Sequence, residues 1–170
     1  MSLHQNSNDF VTISLHENCD VKQNKVNKQH GLFANVSFKA GENIIAFDAS
    51  KIVDTPNYLT VQISENKHIH LTPEYLQYVN HSCEPNVLFN TTTMQLECVS
   101  AIQAGEELCF FYPATEWRMA QQFVCNCGKP NCVGLVQGAA DTSSEVLNKY
   151  KLTDFIKTMA AQYKAFLLLF

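Results

Sequence analysis

The 170 residues lack several things whose absence narrows the function. Basic charge is scarce: 12 Lys and Arg stand against 16 Asp and Glu, for a net charge of −4. A nucleic-acid binder normally carries a basic face, so direct nucleic-acid binding is not expected. No run of Lys and Arg forms a nuclear address. Long apolar runs are missing too. The longest, Ala165 to Phe170, is far short of the roughly 20 residues that span a bilayer, so no membrane association is expected. The polar stretch Met1 to Asp9 lacks the apolar segment of an export signal and reads as a flexible leader, residues 1–9. Without secretion, the glycosylation patterns at Asn35 and Asn90 carry no meaning. No repeat resembling a dedicated reader module accompanies the chain.

What is present fits one domain. Hydrophobic residues make up 46% of the chain, enough for a real core without disulfide staples. Seven cysteines, an odd number, with no export signal imply a reduced, intracellular protein, cytoplasmic or nuclear. Its thiols then bind metal or fill core positions.

The pattern is mainly short strands joined by turns. Strands are expected at Phe10–Leu15, from Gly31 to Ala34, Leu59–Ile63 and His68–Leu71. Val87–Phe89 and Leu96–Val99 read as a hairpin around Asn90–Thr93. Cys19 to His30, polar and rich in Lys, Asn and Gln, reads as an irregular connection. Phe38-Lys-Ala-Gly-Glu-Asn-Ile44 echoes Ile102-Gln-Ala-Gly-Glu-Glu-Leu108, so two β-turns of related shape are expected, each placing glycine where φ is positive. Thr72 with Pro73 has the form of a helix start. Thr142-Ser-Ser-Glu145 has the spacing of a capping box, with a short helix to about Tyr150. From Leu152, apolar residues at Phe155, Ile156, Met159, Tyr163 and Phe166 form a helical stripe. It either packs back on the β core or makes a dimer face; core packing, and hence a monomer, is the expectation.

Two segments carry the chemistry. The first reads Tyr78-Val-Asn-His-Ser-Cys-Glu-Pro-Asn86, with short polar groups Asn80, His81 and Ser82 between apolar Val79 and a turn. The second reads Gly105-Glu-Glu-Leu-Cys-Phe-Phe-Tyr112, an apolar strand ending on a tyrosine, followed after a linker by Cys125, Cys127 and Cys132. Gly128 and Pro130 allow the chain to fold back so that three sulfurs converge. A structural zinc takes four ligands, so one more is needed, from Cys83, His81, Cys98 or Cys109. Cys98 and Cys109 sit in strands, where a small apolar thiol is usually core. Cys83 sits in a turn beside Pro85, free to project. Four thiolates leave no open position, which makes the metal structural.

Together these segments resemble the SET-domain protein lysine methyltransferases with a zinc-binding post-SET tail, over about Gly31 to Gly134. The resemblance implies a mainly β, β-clip-like fold of small sheets in which the Asn-His-Ser-Cys loop threads beneath the segment ending in the catalytic tyrosine, a pseudoknot. The SET domain would span 10–116, the post-SET segment 117–138 and a C-terminal helical extension 139–170. The resemblance also selects Cys83 as fourth ligand beside Cys125, Cys127 and Cys132. It implies S-adenosylmethionine as cofactor. Asn80 would bind its amino-acid part, His81 would contact the adenine through its backbone, and the turn of His30, Gly31 and Leu32 would form the cofactor loop. Tyr112 would be catalytic and also border the cofactor. Trp117 either covers the adenine or anchors the linker to the core. Tyr58 either walls the lysine channel or packs in the core. Phe110 occupies the position that sets product degree; Phe there leaves room for di- or trimethylation. His68 and His70 read as solvated or hydrogen-bonded.

Two positions depart from the family pattern: Gln29 stands where a glycine is usual, and Phe111 where an aspartate is common and would set a charge near the channel. The partner implied is a protein presenting a lysine, histone or non-histone. The rival reading is a SET-like interaction module that keeps fold and zinc without catalysis.

Overall fold

The computed structural model describes residues 9–167; the expected leader lies outside them except for Asp9. Three three-stranded antiparallel sheets and two two-stranded pairs build the domain, and among the described residues only two α-helices occur.

The first sheet is a meander of β1 (Phe10–Leu15), β2 (Cys19–Asn24) and β3 (His30–Ala34). β2 corrects the expectation of an irregular connection. Its polar residues hid an alternation, since Cys19 and Val21 are buried while Asp20 and Lys22 are less so. The Asn24 side chain then closes the turn, accepting from the N–H groups of Val26 (2.9 Å) and Asn27 (3.2 Å). Gly31, Leu32 and Phe33 lie inside β3 rather than in a turn.

The second sheet holds β4 (Asn43–Ala46), β10 (Gln95–Cys98) and β9 (Val87–Asn90), in that order. The expected hairpin is β9–β10, with Gln95 opposite Asn90. The third sheet runs β5 (Asp48–Val53), β7 (Lys67–Thr72) and β6 (Thr60–Ser64). β5 was not legible, because this edge strand buries almost nothing and so shows no apolar alternation. A 3-10 turn, Glu74–Tyr78, follows β7. Pro73 is its boundary residue, no side chain caps it, and Thr72 stays in the strand.

The two echoing segments pair with each other. Phe38 and Ile102 exchange both backbone hydrogen bonds at 2.9 Å, N–H to carbonyl in each direction. Gly41 and Gly105 adopt φ of +90° and +94°. Glu42 accepts from the Lys39 N–H (2.7 Å) as Glu106 does from Gln103 (2.9 Å). The repeat is thus a pair of equivalent glutamate-closed turns.

Two apolar clusters form, and β9 lies between them. Val87 and Phe89 enter the larger one with Leu32, Leu96, Ile102 and Leu108, while Leu88 points the other way. That second cluster gathers Phe111, Ala114, Ala139, Leu147 and Ile156. It is the seat of the C-terminal extension. α1 (Ser144–Leu147) is capped by Ser143, which accepts from the Val146 N–H, rather than by Thr142, whose hydroxyl donates to the Gly138 carbonyl. It ends before Tyr150. α2 (Asp154–Leu167) buries Ile156 completely, but Tyr163 and Phe166 are 44% and 57% exposed. The stripe is therefore fully buried only at Ile156, and its later residues are more exposed.

A Cβ at Gly41 or Gly105 would meet open space, so only backbone strain opposes it. Gly41→Ala and Gly105→Ala are each expected to cost about 1–2 kcal/mol. The double variant should lose about the sum, as read from denaturant unfolding midpoints.

Candidate functional site

The site begins with a short parallel strand pair, of which the sequence marks only the second member, within the apolar strand ending on Tyr112. β8 (Asn80–His81) lies beside β11 (Cys109–Phe110), with Cys109 opposite Asn80 and Phe110 opposite His81. Asn86 clamps the loop that follows. Its side chain accepts from the Cys109 N–H and donates to the Glu107 carbonyl, both at 2.8 Å, and its own N–H donates to the Cys109 carbonyl at 3.0 Å. The Ser82 N–H adds a bond to the Phe110 carbonyl. The loop is thereby tied to the segment ending at Tyr112, the threading expected of a pseudoknot. Asn86 was part of the motif, but its clamping role became visible only here.

His81 joins the two halves. Its Nδ1 faces the Tyr112 N–H at 3.5 Å and its Nε2 faces Cys83 Sγ at 3.4 Å. The first contact needs an acceptor at Nδ1, so the proton sits on Nε2. Burial agrees, lowering the His81 pKa to about 4 and keeping the ring neutral. The His81 ring is also edge-on to Tyr112 at 5.2 Å and to Phe123 at 5.8 Å. Burial above all raises the Tyr112 phenol well beyond its ordinary value, so it too is neutral.

Tyr112, Phe110, Asn80, His81, His30 and Tyr58 all border one cleft of about 1730 Å³. Tyr58 is 88% exposed at its rim, which removes the core-packing alternative. Phe110 is buried between Phe89 (5.0 Å) and Tyr112 (4.6 Å). Three expected cofactor residues lie elsewhere. Gly31 is buried inside β3. Leu32 is fully buried in the core, and its carbonyl accepts from the Leu108 N–H at 2.7 Å. Trp117 takes the anchoring alternative: it packs against the second cluster, meets the Tyr163 ring at 5.8 Å, and its backbone N–H donates to Gln62 Oε1 at 2.8 Å.

Phe111 also departs from expectation. It does not stand where a charge would face the channel. It is 1% exposed in the second cluster, stacked on Tyr150 at 3.7 Å and 10°. The Tyr150 hydroxyl in turn donates to the Cys83 carbonyl at 3.0 Å. An apolar ring here is what lets the C-terminal extension brace the Cys83 turn.

A buried acid was missed as well. Glu116 Oε1 accepts from the Gln62 N–H at 2.8 Å, holding the free edge of β6, and Oε2 lies 3.8 Å from His68 Nδ1. Burial raises Glu116 to about 7 and lowers His68, so both shifts favour neutral partners over an ion pair. His68, expected to be solvated or hydrogen-bonded, is buried with Nδ1 lacking a hydrogen-bond partner. Nothing local in the sequence marks either residue as buried.

The sulfurs of Cys83, Cys125, Cys127 and Cys132 lie within 4.8 Å of one another. The Cys83–Cys125 separation is 3.8 Å. Four thiolates about 2.3 Å from a tetrahedral zinc would stand about 3.8 Å apart, so the set could hold that ion. Burial pushes Cys127 up, but the Lys129 N–H and the neighbouring thiols outweigh it and bring its pKa down to about 7. Asn131 donates to the Cys83 carbonyl at 2.6 Å and orients the turn. The other candidates fall away: Cys98 donates to the Ser100 carbonyl, and Cys109 belongs to β11. One zinc per chain is expected by chelator assay. Cys83→Ser should release it and expose the segment 117–138 to protease; full metal content in that variant would move the fourth ligand elsewhere.

Comparison with known proteins adds to this geometry. The family model described as SET domain matches residues 29–113. Methyltransferase flvH of Aspergillus flavus is 40% identical over 106 residues, covering 61% of this chain and 59% of that protein. An H3 lysine-36 specific histone-lysine N-methyltransferase of Aspergillus fumigatus is 39% identical over 72 residues, 39% of this chain and 7% of that protein. A Candida albicans protein of the same description is 29% identical over 97 residues, 54% of this chain and 11% of that protein. The chain thus spans well under two thirds of each of these relatives. With both site-bearing strands inside a match that covers half of its length, the chain belongs to the SET-domain family.

Proposed function

We propose that the protein transfers methyl groups from S-adenosylmethionine to a lysine side chain of a protein substrate. The observation that supports this most directly is the pairing of Asn80–His81 with Cys109–Phe110, which brings the polar loop and Tyr112 to one cleft. The names of the relatives point the same way. The substrate would be a histone tail or another protein presenting a lysine.

The residues fit such a cofactor. His30, Asn80 and His81 border the cleft together. When bound, the sulfonium group supplies an activated methyl for in-line displacement by an amine. The protein's task is to hold a neutral lysine amine in line with that methyl, so orientation contributes much of the rate. The aromatic walls of Phe110, Tyr112 and Phe123 exclude water from the amine and lower its pKa. The Tyr112 hydroxyl, kept un-ionised, orients the amine by hydrogen bonding. Phe110 adds no hydroxyl to retain a water, leaving space for a second or third methyl group. A zinc held by Cys83, Cys125, Cys127 and Cys132 would staple the tail to the active-site loop and take no part in the reaction.

In this reading the SET domain occupies 10–116, the zinc segment 117–138 and the bracing extension 139–170. The setting is intracellular, where thiols stay reduced, and the protein acts as a monomer. Among the described residues no helix is long and apolar enough to cross a membrane.

Tyr112→Phe is expected to lower turnover with labelled methyl donor by about a hundredfold or more. Calorimetry should show its cofactor affinity nearly unchanged. If the folded wild-type protein bound no S-adenosylmethionine, the interaction-module reading would replace this one. Phe110→Tyr should shift the product, read by mass spectrometry, toward monomethyl-lysine; an unchanged distribution would remove Phe110 from product control.

A further inference from the structure

Glu107 is a half-buried acid bonded directly to the polar loop, and the functional reading above gives it no role. Its Oε1 accepts from Asn80 Nδ2 at 2.8 Å, and the same Nδ2 donates to the His30 carbonyl at 2.8 Å. Both partners are acceptors. The orientation of the Asn80 amide is therefore forced, since a flipped amide would set its oxygen against a carbonyl and a carboxylate. With both amide hydrogens committed, Asn80 Oδ1 remains. It accepts from no protein donor among the described residues and is not closed off from solvent, and Asn80 borders the cleft.

Gly31 belongs to the same arrangement. A Cβ at that position would stand 2.5 Å from Glu107 Oε1. Glycine weakens a strand interior, and here its φ is not positive, so backbone conformation does not call for it. The close approach of the carboxylate does. Gly31, Glu107 and Asn80 come from three separate strands or strand flanks and meet at this one point, with the Phe33–Glu107 bridge holding the flank of β11 against β3.

We propose that Glu107 is a positioning residue: it locks the Asn80 amide so that Oδ1 faces the cleft as a ready acceptor for a cationic ammonium group. This rests on the reading of the cleft as a cofactor site, where the ammonium would be that of the cofactor's amino-acid part. Glu107 itself need not touch the ligand. Gly31 is small because Glu107 must reach Asn80.

The test compares two probes in calorimetry of the zinc-loaded protein. S-adenosylhomocysteine carries the ammonium; 5′-methylthioadenosine shares the nucleoside and thioether but lacks it. Glu107→Leu should weaken S-adenosylhomocysteine binding by about tenfold or more while leaving methylthioadenosine unchanged. Glu107→Gln, whose carbonyl can still accept from Asn80, should stay within about threefold of wild type. Equal loss of both probes in Glu107→Leu would make its role merely structural and overturn the proposal, as would wild-type affinity for both. If the wild-type protein bound neither probe, the cofactor reading itself would fail, a result distinct from these. A measurement on the wild type covers the case in which Glu107→Leu does not fold. The Asn80 side-chain amide protons should exchange slowly with solvent in the ligand-free protein, and fast exchange would overturn the lock.

Discussion

The structure depends on one short parallel pairing between chain segments far apart in sequence. Asn80–His81 and Cys109–Phe110 share few backbone bonds, too few to hold a strand pair alone. Asn86 supplies the remainder by bonding the opposite strand with both ends of its amide and with its backbone. Several candidate site residues are placed from this join. Asn80 reaches Glu107 and His30, His81 reaches the Tyr112 backbone, and Cys83 is carried to the other thiols.

Around the join, two apolar clusters divide the labour. Phe110 and Phe111 are adjacent, so in an extended chain they point to opposite sides. Phe110 enters the large β core and borders the cleft. Phe111 enters the cluster built by the C-terminal extension and stacks on Tyr150, whose hydroxyl braces Cys83. The departure from aspartate at this position thus has a packing explanation, with Phe111 turned away from the cleft.

Several features were legible because their chemistry is local. The two Ala-Gly-Glu turns need positive φ at glycine, and the hairpin of β9 and β10 shows its apolar residues on either side of a polar turn. The loop Asn80–Cys83 and the thiols Cys125, Cys127 and Cys132 announce themselves by residue type and spacing. Other features were hidden for equally definite reasons. β2 is largely polar and β5 is an exposed edge, so neither carries the alternation that reveals a half-buried strand. Trp117 and Tyr58 each admitted two readings, because burial of an aromatic side chain is decided by what lies opposite it.

The class of the fold, the two motif segments and the ligand types available for a metal can all be read from the order of the residues. Those follow from backbone preference and side-chain chemistry, which each residue carries wherever it stands. Folding is what brings the Cys83 sulfur among the other thiols, turns Phe111 away from the cleft, and makes Gly31 leave room for a carboxylate 76 positions further along the chain. Those outcomes depend on distances between remote segments, and such distances exist only once the chain has closed on itself.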